Sequence, residues 1–255
     1  MTHLAQASRA LQGKIAVVTG ATHGIGRAVA IGLAAEGAQV VAVGRTQGAL
    51  ESLDDEIVAA GGAAPSLVPL DLRDGDAVDR LGAAIYERWG LVDSVIGAAG
   101  ALGVVTPVSH MDQKAWDTAI AVNLTANFRL IRSMDPLLRK SQSGRLVLFS
   151  SGAAQRPHAF WSAYAASKAG LEILAKVYAD EVDNTAIRVG VINPGPMRTR
   201  MRAQAFPGED PMELPPPEAI VPMVLEMVAP GSEPTPAVVD FKDWQAAHAM
   251  ASATV

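Results

Sequence analysis

The chain has 255 residues, 49% of them hydrophobic and only 5% aromatic, with a formal charge of −5 and no cysteine. The length suits one large α/β domain or two small ones, and a core of Ala, Val, Leu and Ile suits buried parallel strands under helices. The acidic balance argues against a nucleic-acid or anionic-membrane partner, and the lack of thiols excludes disulfides and thiolate metal sites.

Residues 1–12 carry no long apolar run after Arg9, so no secretory signal is expected. The longest apolar stretch, 95–105, holds three glycines and is too short to span a bilayer. A soluble cytoplasmic protein is the expectation. Strand-like runs at 14–19, 39–44, 66–71, 93–98, 144–150 and 187–193 alternate with helical patterns at 24–36, 47–60, 76–89, 112–138 and 162–182. A further run at 237–241 is a candidate seventh strand. Strict alternation with Val/Ile-rich strands predicts one α/β domain over 1–255, a Rossmann-type doubly wound parallel sheet of about seven strands with helices on both faces. Residues 196–218 are rich in Pro, Met and acidic side chains and read as a substrate lid. Residues 242–255 are Ala-rich and read as a loosely held tail. The histidines are scattered, and no metal site is expected.

The first predicted strand ends in Thr19-Gly20-Ala21-Thr22-His23-Gly24-Ile25-Gly26, and a helix follows. Glycines allow the tight turn and let backbone approach a pyrophosphate, while the helix N-terminus supplies N–H donors and positive potential. Position between strand and helix in the first βαβ unit is the context that makes this spacing point to a dinucleotide. The sequence lacks the Gly-Lys-Ser/Thr of a P-loop. The second strand ends in Val43-Gly44-Arg45-Thr46. An NAD site usually has a carboxylate there for the ribose 2′-OH. Gly44 removes it, and Arg45 offers a fork that matches a 2′-phosphate, so NADP(H) is expected over NAD(H). His23 and Thr46 are further candidates for that phosphate.

Tyr164 and Lys168 lie four residues apart at the start of a predicted helix and so share a face. An ammonium beside a phenol favours the phenolate; bringing its pKa from about 10 to about 7 takes roughly 4 kcal/mol. A phenol so tuned acts as a general acid or base near neutral pH. Taken alone, such a pair is more often a core aromatic and a solvated cation.

With the glycine loop, the spacing Ser151…Tyr164…Lys168 and the run Asn193-Pro194-Gly195, the chain resembles the short-chain dehydrogenase/reductase family from residue 14 to about 199. The stretch 194–211 looks like a bacterial subgroup of poorly defined substrate. The resemblance implies an oxidoreductase acting on a carbonyl/alcohol pair, with Asn123, Ser151, Tyr164 and Lys168 as catalytic residues. Tyr164 would exchange the proton, Ser151 would polarise the same oxygen, and Lys168 would tune Tyr164 and hold the nicotinamide ribose. Asn123 would position a water linking Lys168 to solvent. The resemblance also implies an adenine contact from Asp71, with Leu72 beside it, a backbone passage along the adenosine at Ala99 and Gly100, and a carboxamide grip from Pro194, Gly195 and Thr199. One departure is Gly97-Ala98-Ala99-Gly100 where the family commonly has Asn-Asn-Ala-Gly; the amide that ties neighbouring strands is absent at Ala98, and no catalytic group is lost.

Gln155, His158, Phe160 and Trp161 lie between Ser151 and Tyr164 and are candidates for the substrate pocket, with Met197, Met201 and Phe206 closing from the lid. Apolar lining favours a hydrophobic carbonyl or alcohol. A homodimer or homotetramer through the helices at 112–138 and 162–182 is implied by the resemblance. The competing expectation is a dinucleotide-sensing or scaffold protein with no useful turnover.

Overall fold

The computed structural model describes residues 9–252. The readings of residues 1–8 and 253–255 lie outside them. One sheet holds β1 (Ile15–Thr19), β2 (Gln39–Gly44), β3 (Ser66–Pro69), β4 (Ser94–Gly97), β5 (Arg145–Phe149), β6 (Arg188–Asn193) and β7 (Val238–Asp240). The order is β3-β2-β1-β4-β5-β6-β7, and every neighbouring pair is parallel. The α-helices are α1 (Gly24–Ala35), α2 (Gln47–Ala59), α3 (Gly75–Trp89), α4 (Gln113–Ile120), α5 (Ala126–Leu138), α6 (Ser162–Glu181), α7 (Arg200–Ala205), α8 (Val221–Val228) and α9 (Phe241–Ser252).

Successive strand side chains point to opposite faces, so the sheet feeds two cores. Ala16, Val18, Val40, Ala42 and Val147 pack with Leu33, Leu53 and Val224 from α1, α2 and α8. Val17, Val41, Val43, Leu146 and Leu148 pack with Ile85, Met134 and Leu171 from α3, α5 and α6. Burial on both faces is why these strands read as unbroken apolar runs rather than as alternating ones. The chain winds outward in two directions from β1 and β4, whose ends meet at Thr19 and Gly97. Beyond the carboxyl ends of those strands lies the switch point where open α/β sheets bind ligands.

Three expectations change. The single helix at 112–138 is α4 and α5 joined by a π turn at Ala121–Thr125. The stretch 196–218, expected to be a lid, holds α7 and a 3-10 turn at Pro211–Glu213; a second turn at Pro217–Ile220 leads into α8, absent from the sequence reading. The Ala-rich run at 242–252 takes a helical form that the sequence reading did not give it: in α9, Phe241 is buried and lies 6.1 Å from the Trp244 ring, and the Trp244 indole donates to Glu226 at 2.8 Å. Those two aromatics anchor an otherwise Ala-rich segment on the first core. Among the described residues, no helix is long and apolar enough to cross a membrane.

Candidate active site

Helix α6 is fastened to the end of β5 at three successive turns. Tyr164 shares a hydrogen bond with Ser151. Lys168 Nζ donates to the Phe149 carbonyl at 2.7 Å. Ser150 Oγ donates to Glu172 at 2.5 Å. The i, i+4, i+8 spacing brings all three side chains to the strand end, since residues one turn apart share a face. Ser151 also caps the 3-10 turn Gly152–Ala154, its Oγ accepting from the Ala153 amide at 3.3 Å. Glu172 and Ser150 were not singled out from the sequence. The available signal was an acid one turn beyond Lys168 in an otherwise apolar stretch.

Tyr164 and Lys168 are 8% and 4% exposed. Burial disfavours either charged form. It raises the Tyr164 pKa above its ordinary value, and the Ser151 hydrogen bond opposes that only in part. The same burial lowers Lys168 to about 8. The expectation that the ammonium lowers the phenol's pKa is therefore not met here. The ammonium is 5.9 Å from the Tyr164 ring centroid and directs a hydrogen bond to Phe149 instead.

Asn123 sits in the π turn and is fully buried. Its Nδ2 donates to the Ala101 carbonyl and to Ser167 Oγ, both at 2.9 Å, and its Oδ1 accepts from the Ala101 amide at 2.8 Å. Both amide hydrogens are used, so the side chain clamps the loop after β4 to α6. Gly100 passes close by: a Cβ there would make ordinary contacts, 3.6 Å from Asn123 Oδ1 and 3.8 Å from Lys168 Nζ. At the altered motif, the Asn127 side chain occupies the space beside Gly97, with Oδ1 2.6 Å from where a Cβ would sit. Thr19 Oγ1 bridges β1 to the Ile96 carbonyl and the Ala99 amide, both at 3.3 Å.

The glycine loop fits a dinucleotide. Gly20 has φ 68° and Gly24 φ 54°, and a Cβ on Gly20 would lie 2.8 Å from Ala99. His23 is the N-cap of α1 but makes no side-chain cap bond, and the first turn holds no acid. Its amides are thus left to an anion, as a pyrophosphate requires. His23 Nδ1 is 2.9 Å from Thr22 Oγ1. At the end of β2, a Cβ on Gly44 would lie 2.4 Å from Thr22 Cγ2. The Thr22 methyl fills the place a carboxylate side chain would need, and exposed Arg45 follows. Thr46 is the N-cap of α2, again with no side-chain cap bond. Asp71 is gripped by its neighbour Arg73 through two bonds at 3.0 Å and one at 2.5 Å, which hold its carboxyl at about 2. Leu72 packs against the second core. Beyond β6, Thr199 caps α7 and its methyl lies 3.3 Å from the Cβ position of Gly24. The Pro194-Gly195 turn is held by Asn193, which accepts from the Gly195 amide at 3.1 Å and donates to Asp240.

Around Tyr164, Leu102 and Ala153 complete a small apolar cluster on which Trp161, Ala165 and Met201 pack. Trp161 meets Tyr164 edge-on at 5.6 Å and lies 5.7 Å from Phe206 and 5.6 Å from His158. Met197 does not join this group. It is 2% exposed in the first core, because its side chain turns inward from the end of β6. Gln155 is exposed at the end of the 3-10 turn.

The family model for short chain dehydrogenases matches residues 14–210. The oxidoreductase YciK of Escherichia coli K12 is 39% identical over 224 residues, covering 87% of this chain and 88% of that protein. A short chain dehydrogenase from Escherichia coli CFT073 complexed with NADPH superposes with a TM-score of 0.88 at 38% identity, covering 92% of this chain and 98% of that one. One from Shigella flexneri 2a complexed with NADP gives 0.88 at 37% identity, covering 92% and 99%. On the family match and the doubly wound sheet together, the chain belongs to the short-chain dehydrogenase/reductase family.

Proposed function

We propose that the protein is an NADP(H)-dependent oxidoreductase that interconverts a carbonyl and an alcohol on a small molecule, with Tyr164 as general acid and base. The observation that carries this reading is the Ser151–Tyr164 hydrogen bond, set beside buried Lys168 and Asn123 at the switch point of the sheet. The glycine loop, the open N-terminus of α1 and the Gly44–Thr22 packing ahead of Arg45 support NADP(H) over NAD(H), the form carried by two structural relatives.

When bound, the reduced nicotinamide supplies a hydride to the carbonyl carbon. Tyr164, kept protonated by burial, gives its proton to the carbonyl oxygen. Ser151 donates to the same oxygen as negative charge develops there. Lys168 holds the ribose and places positive charge behind the phenol. Asn123 fixes the loop that faces Lys168, and the lone pairs left on its oxygens hold the water that returns the proton. A second copy of the chain would pack on the outer faces of α5 and α6, where Phe128, Ile173 and Val177 are exposed.

Tyr164→Phe is expected to abolish NADPH oxidation across a carbonyl panel, a loss of at least about 1000-fold, while NADPH affinity by fluorescence titration stays within about twofold. Full turnover in that variant would refute the assignment. Wild-type protein that binds NADPH but turns over no carbonyl would favour the sensing role.

A further inference from the structure

Phe160 has φ 74° and, among the described residues, is the one non-glycine in the left-handed region. A bulky aromatic there is strained, whereas glycine adopts the conformation freely. Phe160 is also 52% exposed, so burial in this chain does not offset the strain. Its carbonyl accepts from the Thr106 amide at 3.0 Å, which pins it to the loop after β4, where Val104, Val105 and Val108 are exposed. The next residue, Trp161, meets both the Tyr164 ring and the Phe206 ring. Unburied apolar surface thus gathers on the loops beside Trp161, next to Tyr164. The basic side chain against Phe206 is neutralised: Arg202 stacks 3.8 Å from that ring and pairs with Glu209 through two bonds of 2.6 Å.

Resting on the function proposed above, we infer that the substrate is a neutral, bulky, ring-bearing ketone or its secondary alcohol, and that Phe160 is a specificity residue for it. A flat apolar ring would cover Phe160 and lie against Trp161 and Phe206, recovering the burial that the free chain lacks. An anionic acyl thioester would gain nothing from paired Arg202. The ketone gains a hydride at carbon and the Tyr164 proton at oxygen, giving the alcohol as NADPH becomes NADP+.

The test is steady-state kinetics with NADPH and three probes: 2-tetralone, 2-butanone and acetoacetyl-CoA. The bicyclic ketone is expected to exceed 2-butanone in kcat/KM by about 100-fold, because several more ring carbons leave water. In Phe160→Gly that ratio is expected to fall about tenfold, mainly through KM, with no loss of Tm, since the strained residue is replaced by one at ease there. Equal kcat/KM for the two ketones, an unchanged ratio in the variant, or a preference for the thioester would each overturn the substrate class while leaving the oxidoreductase reading intact. Turnover of none of the three by NADPH-bound protein would overturn both.

Discussion

Lys168 is the residue where burial and chemistry pull hardest against each other. Its folded pKa is about 8 against an ordinary 10.5. Below pH 8 the ammonium is charged in both states, and its desolvation weighs fully against folding. Between pH 8 and 10.5 the unfolded chain binds the extra proton, so stability rises with pH. The gain across that window is roughly 3 kcal/mol. Tyr164, whose folded pKa is raised, acts oppositely and loses stability as pH climbs past about 10. The contribution of Lys168 is therefore isolated by comparison with Lys168→Met in urea unfolding from pH 7 to 10.5. Wild-type protein is expected to gain on the variant by that amount, and parallel curves would refute the burial account. Family motifs and helical spacing were enough to single out Asn123, Ser151, Tyr164 and Lys168, which the fold brings to one end of the sheet. The sign of the Tyr164 shift was not legible, because it depends on what surrounds the phenol. For the same reason Met197 was misread: sequence places it in the lid, and only packing turns it into the core.

At the scale of elements, the strand end of β5 and one face of α6 behave as a single unit. Three side chains of α6 reach three consecutive residues of the chain, with the Ser151–Tyr164 bond at the end of the row. Glu172 makes its link to Ser150, and we propose it as a positioning residue. Glu172→Ala leaves the buried Ser150 hydroxyl without an acceptor, at a cost of about 2 kcal/mol in urea unfolding. It also loosens Ser151, and kcat is expected to fall about tenfold. Glu172→Gln keeps an acceptor oxygen in place and is expected to restore kcat while KM for NADPH stays constant. If Glu172→Ala keeps wild-type kcat, the link is structural only. Strands and most helices were legible because periodicity and glycine punctuation are local. The π turn at Ala121–Thr125 was not, since it accompanies hydrogen bonds from Asn123 to Ala101, 22 residues away, and to Ser167, 44 away. The anchoring of α9 likewise depends on Glu226, far along the chain.

Over the whole molecule, the alternating pattern was enough to read a doubly wound sheet, because right-handed parallel crossovers leave few other arrangements. The partnership between molecules is a different matter, and α6 carries the argument. Tyr164, Lys168 and Glu172 occupy its inner side, while Ile173 and Val177, one turn apart, are 59% and 49% exposed on the opposite side. Paired apolar residues left to water on a helix of the catalytic scaffold suit a two-fold contact, in which each patch meets its own copy. Ile173→Arg with Val177→Arg places two like charges on each side of that contact and touches neither core. Wild-type protein is expected to sediment as a dimer or tetramer, and the double variant at half that mass, which for a dimer is a monomer of 26.5 kDa. Because the same helix holds Tyr164 and Lys168, loss of the contact is expected to lower kcat severalfold while NADPH affinity is little changed. Wild-type protein sedimenting as a monomer at micromolar concentration would end the proposal. A dissociated variant with full kcat would show that the outer face of α6 does not support the inner one.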